Sequence, residues 1–324
     1  MKKLFLFIFF FSCIGIEPNL YDLSFLAQTE LVYNYLTTHH GLSPVAFITD
    51  DGISLNGLWR NNPDAPYSVI ICGGFYPGNK ESMATFIDLI PKEANVLLFD
   101  ARGHGTSDGR FFSQLHTYGL HEYQDIVSAI NLVKKTNDHP VIVYGLCAGA
   151  FHAARALIEL YERQKTHDIA GFIFDSGFVS LLDVLHIPQY HIKESVIPGI
   201  FKHTVYQSDS TQLIKQRSIV RMCSLLCAGI MQLVTLAYRP FIAFNATITN
   251  VGEKFHLISC PIFFIHSVDD HYSPIMPIQK LAIKNNNTSE WWIDKPSKHA
   301  SHHLEHTKEY KERLLAFFSK IVNT

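Results

Sequence analysis

Short, nearly continuous apolar runs alternate with amphipathic stretches along most of this chain. Ser68-Val-Ile-Ile-Cys72, Asn95-Val-Leu-Leu-Phe99, Val141-Ile-Val-Tyr144, Ala170-Gly-Phe-Ile-Phe174, Pro261-Ile-Phe-Phe-Ile265 and Glu290-Trp-Trp-Ile293 have the length and composition of strands buried on both faces. Helical periodicity fills the intervals around 80–91, 117–135, 149–164, 275–285 and 303–322. Strands apolar on both sides and separated by helices predict a parallel sheet covered by helices on each face. The body opens differently. Val45-Ala-Phe-Ile-Thr49, the turn at Asp50-Asp-Gly52 and Ile53-Ser-Leu-Asn-Gly-Leu-Trp59 alternate as a β-hairpin. The predicted fold is therefore α/β, a mostly parallel, doubly wound sheet opened by an N-terminal hairpin.

One segment breaks the alternation. Between Asp175 and Ser259 no strand pattern appears, whereas helical patterns, prolines at 188, 198 and 240, and the uncharged run from Met222 to Tyr238 do. An insertion of about 177–257 at this place predicts a helical cap over the C-terminal edge of the sheet, where ligands of open α/β sheets bind. The 222–238 helix reads as core beneath that cap, as an acyl-binding wall, or as a membrane-contacting face. The first 16 residues combine two lysines, a phenylalanine-rich apolar run and small residues, the form of a signal peptide or membrane anchor. Phe10-Phe-Ser-Cys13 weakly resembles a lipobox. Residues 17–43 form a helical lead-in, and 44–324 the main domain with its cap. The expected location is exported or membrane-associated.

With 324 residues, 47% hydrophobic and 17% charged, the chain can bury a sizeable core. A formal net charge of −2 and the lack of any basic cluster interleaved with aromatics argue against nucleic acid as a partner. The six cysteines, at 13, 72, 147, 223, 227 and 260, form no metal-binding ladder and read mainly as small buried hydrophobes.

Cys147 is the exception. Gly145-Leu-Cys-Ala-Gly149 ends a buried strand and opens a helix, with small residues two before and two after the cysteine. That is the pattern of a nucleophile elbow, in which neighbouring backbone passes close to both glycines and the apex side chain is held at a helix N-terminus. Backbone N–H donors and the positive dipole end there favour a thiolate and, later, an oxyanion. The N–H of Ala148 is one expected oxyanion donor. A second is expected from the loop Gly73-Gly-Phe-Tyr-Pro-Gly78, with Phe75 best placed. A base and a carboxylate to orient it complete the chemistry. Asp270, at the end of a buried strand, is the candidate carboxylate; Asp269 is its neighbour and Asp175 a second alternative. Lys298-His299-Ala-Ser-His302-His303-Leu-Glu-His306 offers four histidines. Their spacing invites a metal reading, but a solvated helix face explains most of them more simply. His299 lies earliest, in the loop just after the last strand, where a base can reach over the sheet edge.

From about residue 40 onward the chain resembles the α/β-hydrolase superfamily. Phe99-Asp-Ala-Arg-Gly-His-Gly-Thr-Ser-Asp-Gly109 is similar to its D-x-R-G-H-G-x-S-x-G loop, Tyr118-Gly-Leu-His-Glu-Tyr-Gln-Asp125 to the start of the helix that follows, and Pro261 to Pro274 to the strand that presents the acid. The resemblance aligns Asp270 with that acid and, through the spacing to Tyr310 and Phe317, favours His299 over His302. Two departures stand out: Gly73 occupies a position that is often histidine, and Ser267 replaces the usual glycine after His266. Cysteine in place of serine resembles dienelactone hydrolases, polyhydroxyalkanoate synthases and the bile-acid acyl-CoA aminotransferring branch. The resemblance implies a hydrolase acting on an activated ester, lactone or thioester through Cys147, His299 and Asp270, with no cofactor and no metal. Alternatives are an acyltransferase to an amine or lipid acceptor, and a non-catalytic lipid-binding homologue. The expected partner is a small-molecule or lipid acyl substrate, with membrane association through the N-terminus or the 222–238 helix.

Overall fold

The structure, a computed structural model, describes residues 29–75, 78–109, 115–163, 169–184, 236–237, 239–285 and 288–322. The leader at 1–16, Cys13, Cys223, Cys227 and nearly all of the 222–238 run lie outside the described residues, as does most of the proposed cap. The sheet and its flanking helices belong to the compact unit built from Val32–Val184 and Phe241–Thr324.

Eight strands form one sheet: β1 (Ser43–Ile48), β2 (Ser54–Arg60), β3 (Ser68–Cys72), β4 (Asn95–Phe99), β5 (Val141–Leu146), β6 (Ile169–Asp175), β7 (Ile262–Ile265) and β8 (Thr288–Trp292). Their order is β1-β2-β4-β3-β5-β6-β7-β8. β2 pairs antiparallel with β1 and β4, and every other pairing is parallel. The hairpin and the apolar runs thus become strands where the sequence pattern places them. Successive side chains point to opposite faces, so each central strand serves two cores. On one face Ile70, Leu97, Val143, Phe172 and Phe264 meet the helices α2 (Tyr123–Thr136), α3 (Ala148–Glu162) and α4 (Ile275–Lys284). On the other, Val69, Leu98, Ile142, Ile173 and Phe263 meet the short α1 (Ala84–Ile87) and the C-terminal α6 (Thr307–Val322). Complete burial of such side chains stabilises the fold by roughly 1.5–3 kcal/mol each.

Three helices depart from their sequence boundaries. The stretch predicted as helix over 80–91 is a 3-10 turn at Lys80–Met83 followed by α1. Asp100 takes both the backbone N–H and the ammonium of Lys80, at 2.8 Å each, and fixes that turn before a longer helix can form. The helix predicted from 117 begins at Tyr123 because Gly119 is left-handed (φ 88°) and its N–H donates to the Glu122 carboxylate at 2.8 Å. The predicted 303–322 helix divides into α5 (His302–Glu305) and α6, with His306 at φ −130°, ψ 39° between them.

Of the 177–257 region, residues 241–249 are helical, and Phe178, Leu181, Ala246, Val251 and Phe255 join the core beside α3. The Asn245 amide donates to the carbonyls of His116 and Tyr118, both at 3.0 Å, and ties this helix to the loop ahead of α2.

Candidate active site

β5 ends at Leu146 and α3 begins at Ala148, so Cys147 alone makes the turn. Its backbone lies at φ 55°, ψ −119°, a conformation that non-glycine residues adopt only under constraint. The flanking glycines supply the room. A Cβ on Gly145 would sit 2.4 Å from the Ala150 backbone, and one on Gly149 would sit 2.1 Å from the Cys72 carbonyl oxygen. The Cys147 N–H donates to the Asp175 carbonyl at 2.8 Å, anchoring the turn to the end of β6. The side chain itself remains partly accessible.

The loop after β3 runs beside the thiol. A Cβ on Gly74 would lie 3.8 Å from the Cys147 sulfur, in ordinary van der Waals contact with the nucleophile. Phe75 follows, with its ring edge-on to Tyr118 at 4.9 Å and its carbonyl oxygen 3.0 Å from His104 Nε2. Ala148, directly after Cys147, is buried at the start of α3. The two sequence-predicted oxyanion donors therefore belong to the two backbone segments that flank Cys147.

The motif after β4 builds the floor under this loop. Arg102 forks between two carboxylates, with Nε 2.7 Å from Asp125 Oδ1 and one terminal nitrogen 2.7 Å from Asp51 Oδ2. Asp100, fully buried, also accepts from the backbone and hydroxyl of Thr106 at 2.8 and 2.9 Å. Gly105 must be glycine because a Cβ would meet the Asp100 carboxylate at 2.3 Å.

Asp270 and His299 meet across the C-terminal edge of the sheet. His299 Nδ1 stands 2.7 Å from Asp270 Oδ2, and the second carboxylate oxygen accepts the N–H groups of Tyr272 and Ser273 at 2.8 and 2.9 Å. Burial opposes charge on both groups. It is outweighed in Asp270 by the bond from His299, which holds the carboxyl below its ordinary range. In His299 burial is outweighed by the charge of the Cys147 sulfur and by Asp270, so its pKa lies well above the ordinary value. The structure thus brings together Cys147, His299 and Asp270. The alternatives are engaged elsewhere. Asp269 is exposed, with its N–H bonded to Ser267 Oγ. The Asp175 carboxylate, 1% exposed, accepts hydroxyls from Tyr144 (2.7 Å), Tyr310 (2.6 Å) and Ser176 (2.8 Å).

The other histidines of the 299–306 cluster depart from the expected solvated helix face. His302 and His303 are buried at 1% and 7% exposure, and burial lowers the pKa of both. His302 Nδ1 pairs with Ser297 Oγ at 2.8 Å, His303 Nε2 with Thr85 Oγ1 at 3.3 Å, and His306 Nε2 with the Pro296 carbonyl at 3.0 Å. The break at His306 turns α5 inward against β8 and α1, which is why a polar-looking sequence is buried. The four rings face four different partners, and among the described residues no group of three or more His, Cys, Asp or Glu side chains could hold a metal ion. Nor is any described helix long and apolar enough to cross a membrane.

Two further contacts brace the acid–base pair. Ser267 Oγ donates to the Ser297 carbonyl at 2.6 Å and accepts the Ser297 N–H at 2.7 Å, clamping the acid loop to the loop that carries His299. The Tyr272 ring stacks on the His299 imidazole with centroids 5.1 Å apart and planes 23° from parallel. Ser267 could have been suspected because it replaces a glycine; Tyr272 is hidden among turn residues.

A mostly parallel eight-stranded sheet, a strained elbow at the end of β5 and an acid–histidine pair on later loops together define an α/β hydrolase. The model of the α/β hydrolase fold family matches residues 67–192, and the eight-stranded sheet has that fold. In sequence it is 24% identical over 300 residues to the uncharacterised protein YqkD of Bacillus subtilis (strain 168), covering 91% of this chain and 85% of that one. In structure it is similar to the esterase Pf2001 of Pyrococcus furiosus (TM-score 0.60, 19% identity, 88% of this chain and 93% of that one). It is equally similar to the α/β hydrolase GrgF of Penicillium sp. sh18 (TM-score 0.60, 18% identity, 87% and 99%). At these identities the structural likenesses speak to the fold.

Proposed function

We propose that this protein hydrolyses activated acyl groups, a carboxylic ester, lactone or thioester, through a covalent acyl-enzyme on Cys147. The observation that carries the reading is the placement of His299 between the Cys147 sulfur and the Asp270 carboxylate. The esterase-like fold of the chain supports hydrolase chemistry in general; the cysteine supplies the bias within it.

In this reading the Cys147 thiolate attacks the carbonyl carbon, the S–C bond forms, and the carbonyl electron pair moves to oxygen between the N–H groups of Ala148 and Phe75. Collapse expels the alkoxide or thiolate leaving group, which takes the proton of the His299 imidazolium. The neutral imidazole then removes a proton from water as its oxygen adds to the thioester. Collapse of that second intermediate returns the Cys147 thiolate beside a protonated His299 and releases the carboxylic acid. Asp270 stays ionised throughout and holds the ring in the tautomer that presents Nε2 to the reaction. A thiolate departs more readily than an unprotonated amide nitrogen, which biases the site towards activated acyl groups. We further propose that the protein acts after export or at a membrane, on the character of its first 16 residues.

The test is a panel of p-nitrophenyl esters and acyl-CoAs of graded chain length, on the wild type, Cys147→Ala and Cys147→Ser. Turnover that vanishes in the alanine variant, with loss of iodoacetamide labelling at residue 147, supports the reading. Acyl transfer to an added amine or lipid acceptor in preference to water would assign the transferase alternative, and no turnover on any member would leave a lipid-binding homologue.

A further inference from the structure

We propose that Tyr272 is a positioning residue of this site, one that holds the His299 ring in register with Asp270 and steadies its charged form. The proposal rests on the assignment of His299 as the base. Tyr272 meets the acid–base pair twice. Its backbone N–H donates to Asp270 Oδ1 at 2.8 Å, while Asp270 Oδ2 receives His299 Nδ1 at 2.7 Å. Its ring covers one face of the imidazole, at 5.1 Å between centroids and 23° between planes. The same residue therefore fixes the carboxylate through its backbone and the imidazole through its side chain.

The stack acts on the charge as well as on the geometry. The imidazole carries its positive charge in the ring, and an aromatic face presents the negative lobe of its quadrupole to that charge. Several groups bear directly on His299. Cys147 approaches from the elbow, Asp270 from the loop after β7, and Tyr272 from the same loop. Behind Asp270 lies His266, wholly buried, with Nε2 3.0 Å from the Ser273 carbonyl and 3.8 Å from Asp270 Oδ2. Burial keeps His266 on the neutral side, so it brings no lasting second cation to the pair. Tyr272 is thus the aromatic face on the imidazole, half-buried where the ring would otherwise rotate or hydrate. Removing it frees the imidazole about its χ angles and takes away the aromatic face, and both effects favour proton loss against the smaller opposing effect of hydrating the exposed ring.

The experiment is an NMR titration of the His299 imidazole in the full-length wild type, Tyr272→Phe and Tyr272→Leu, beside kcat/KM for p-nitrophenyl acetate as a function of pH. Leucine should lower the pH at which His299 releases its proton by about half a unit, a threefold change in protonation constant. The alkaline limb of kcat/KM should move down with it, and phenylalanine should restore both. A leucine variant that titrates as the wild type, or a phenylalanine variant that shifts as far as leucine, overturns the proposal; the second outcome would assign the effect to the hydroxyl. Equal thermal midpoints in the two variants show that folding is not the cause, and should leucine fail to fold, Tyr272→Met is read in its place. Cys147→Ala tests the parent reading separately. If it still turns over ester, the thiol is not the nucleophile, whereas the His299 titration still reports on the stack.

Discussion

The backbone N–H of Cys147 donates to the carbonyl oxygen of Asp175 at 2.8 Å, so the apex of the elbow hangs from the residue that ends the neighbouring strand. Directly below, the Asp175 carboxylate gathers the hydroxyls of Tyr144 on β5, Tyr310 on α6 and Ser176. It is buried, and burial beside it pushes the phenols of Tyr144 and Tyr310 well above their ordinary pKa. Tyr144 and Tyr310 also share a hydrogen bond between their hydroxyls, so Asp175→Ala would leave the Ser176 hydroxyl and one of the two phenols without an acceptor, each costing about 1–3 kcal/mol. The expected loss is about 3 kcal/mol or more in urea unfolding, with Asp175→Asn, which preserves volume and one acceptor, losing less. An alanine variant as stable as the wild type would show that the cluster contributes nothing.

The pairing of Asp270 with His299 predicts a pH dependence. Burial alone would make the imidazole release its proton early; the Cys147 sulfur and Asp270 carboxylate reverse this and keep it protonated beyond the ordinary histidine range. Activity that needs the imidazolium should therefore persist through neutral pH and fall as pH rises through the raised value. Asp270→Asn removes one of the supporting charges and moves that alkaline limb to lower pH, with kcat/KM down by about 100-fold or more. A limb that stays in place would separate it from His299.

Gly149 has no room for a side chain, since an added Cβ would stand 2.1 and 2.5 Å from the carbonyl oxygens of Cys72 and Gly73. Both obstacles are backbone, so α3 or the 73–75 loop must move. Gly149→Ala is expected to lower stability by about 1–3 kcal/mol and to slow iodoacetamide labelling of Cys147 more than Gly171→Ala. Gly171 is a fair reference because its nearest neighbours are the ends of the Phe317 and Ile321 side chains, which can yield.

Ser267→Ala breaks the double hydrogen bond to Ser297 and loosens the loop that carries His299 from the loop that carries Asp270. Because the clamp acts on His299 through its loop, the expected signature in steady-state kinetics is a fall in kcat of about tenfold with KM little changed. A KM effect alone would indicate that the clamp shapes the binding site instead.

Much of the fold was legible in the sequence. The six apolar runs and the opening hairpin are short-range patterns, and burial on both faces leaves a chemical record in every strand. The elbow was legible for a similar reason, because Gly145, Cys147 and Gly149 are adjacent and their steric needs are local. The helix ends were less so. Those at 80, 117 and 306 are set by Asp100, Glu122 and the turn at His306, by hydrogen bonds and packing that periodicity does not encode.

The sequence by itself determined the doubly wound class, the cysteine at the elbow and a short set of acids and histidines. Only the tertiary structure decided among them. Asp269, Asp270 and Asp175 all follow buried strands, yet one is exposed, one is bound by phenols and one meets His299. His302 and His303 looked as surface-bound as any polar residue and proved buried. The reason is physical: which carboxylate orients a given imidazole depends on directions and distances of a few ångströms between loops that leave different strands. Those are fixed by sheet register, helix breaks and clamps such as Ser267 with Ser297, which act across about 30 residues of chain and leave no local pattern.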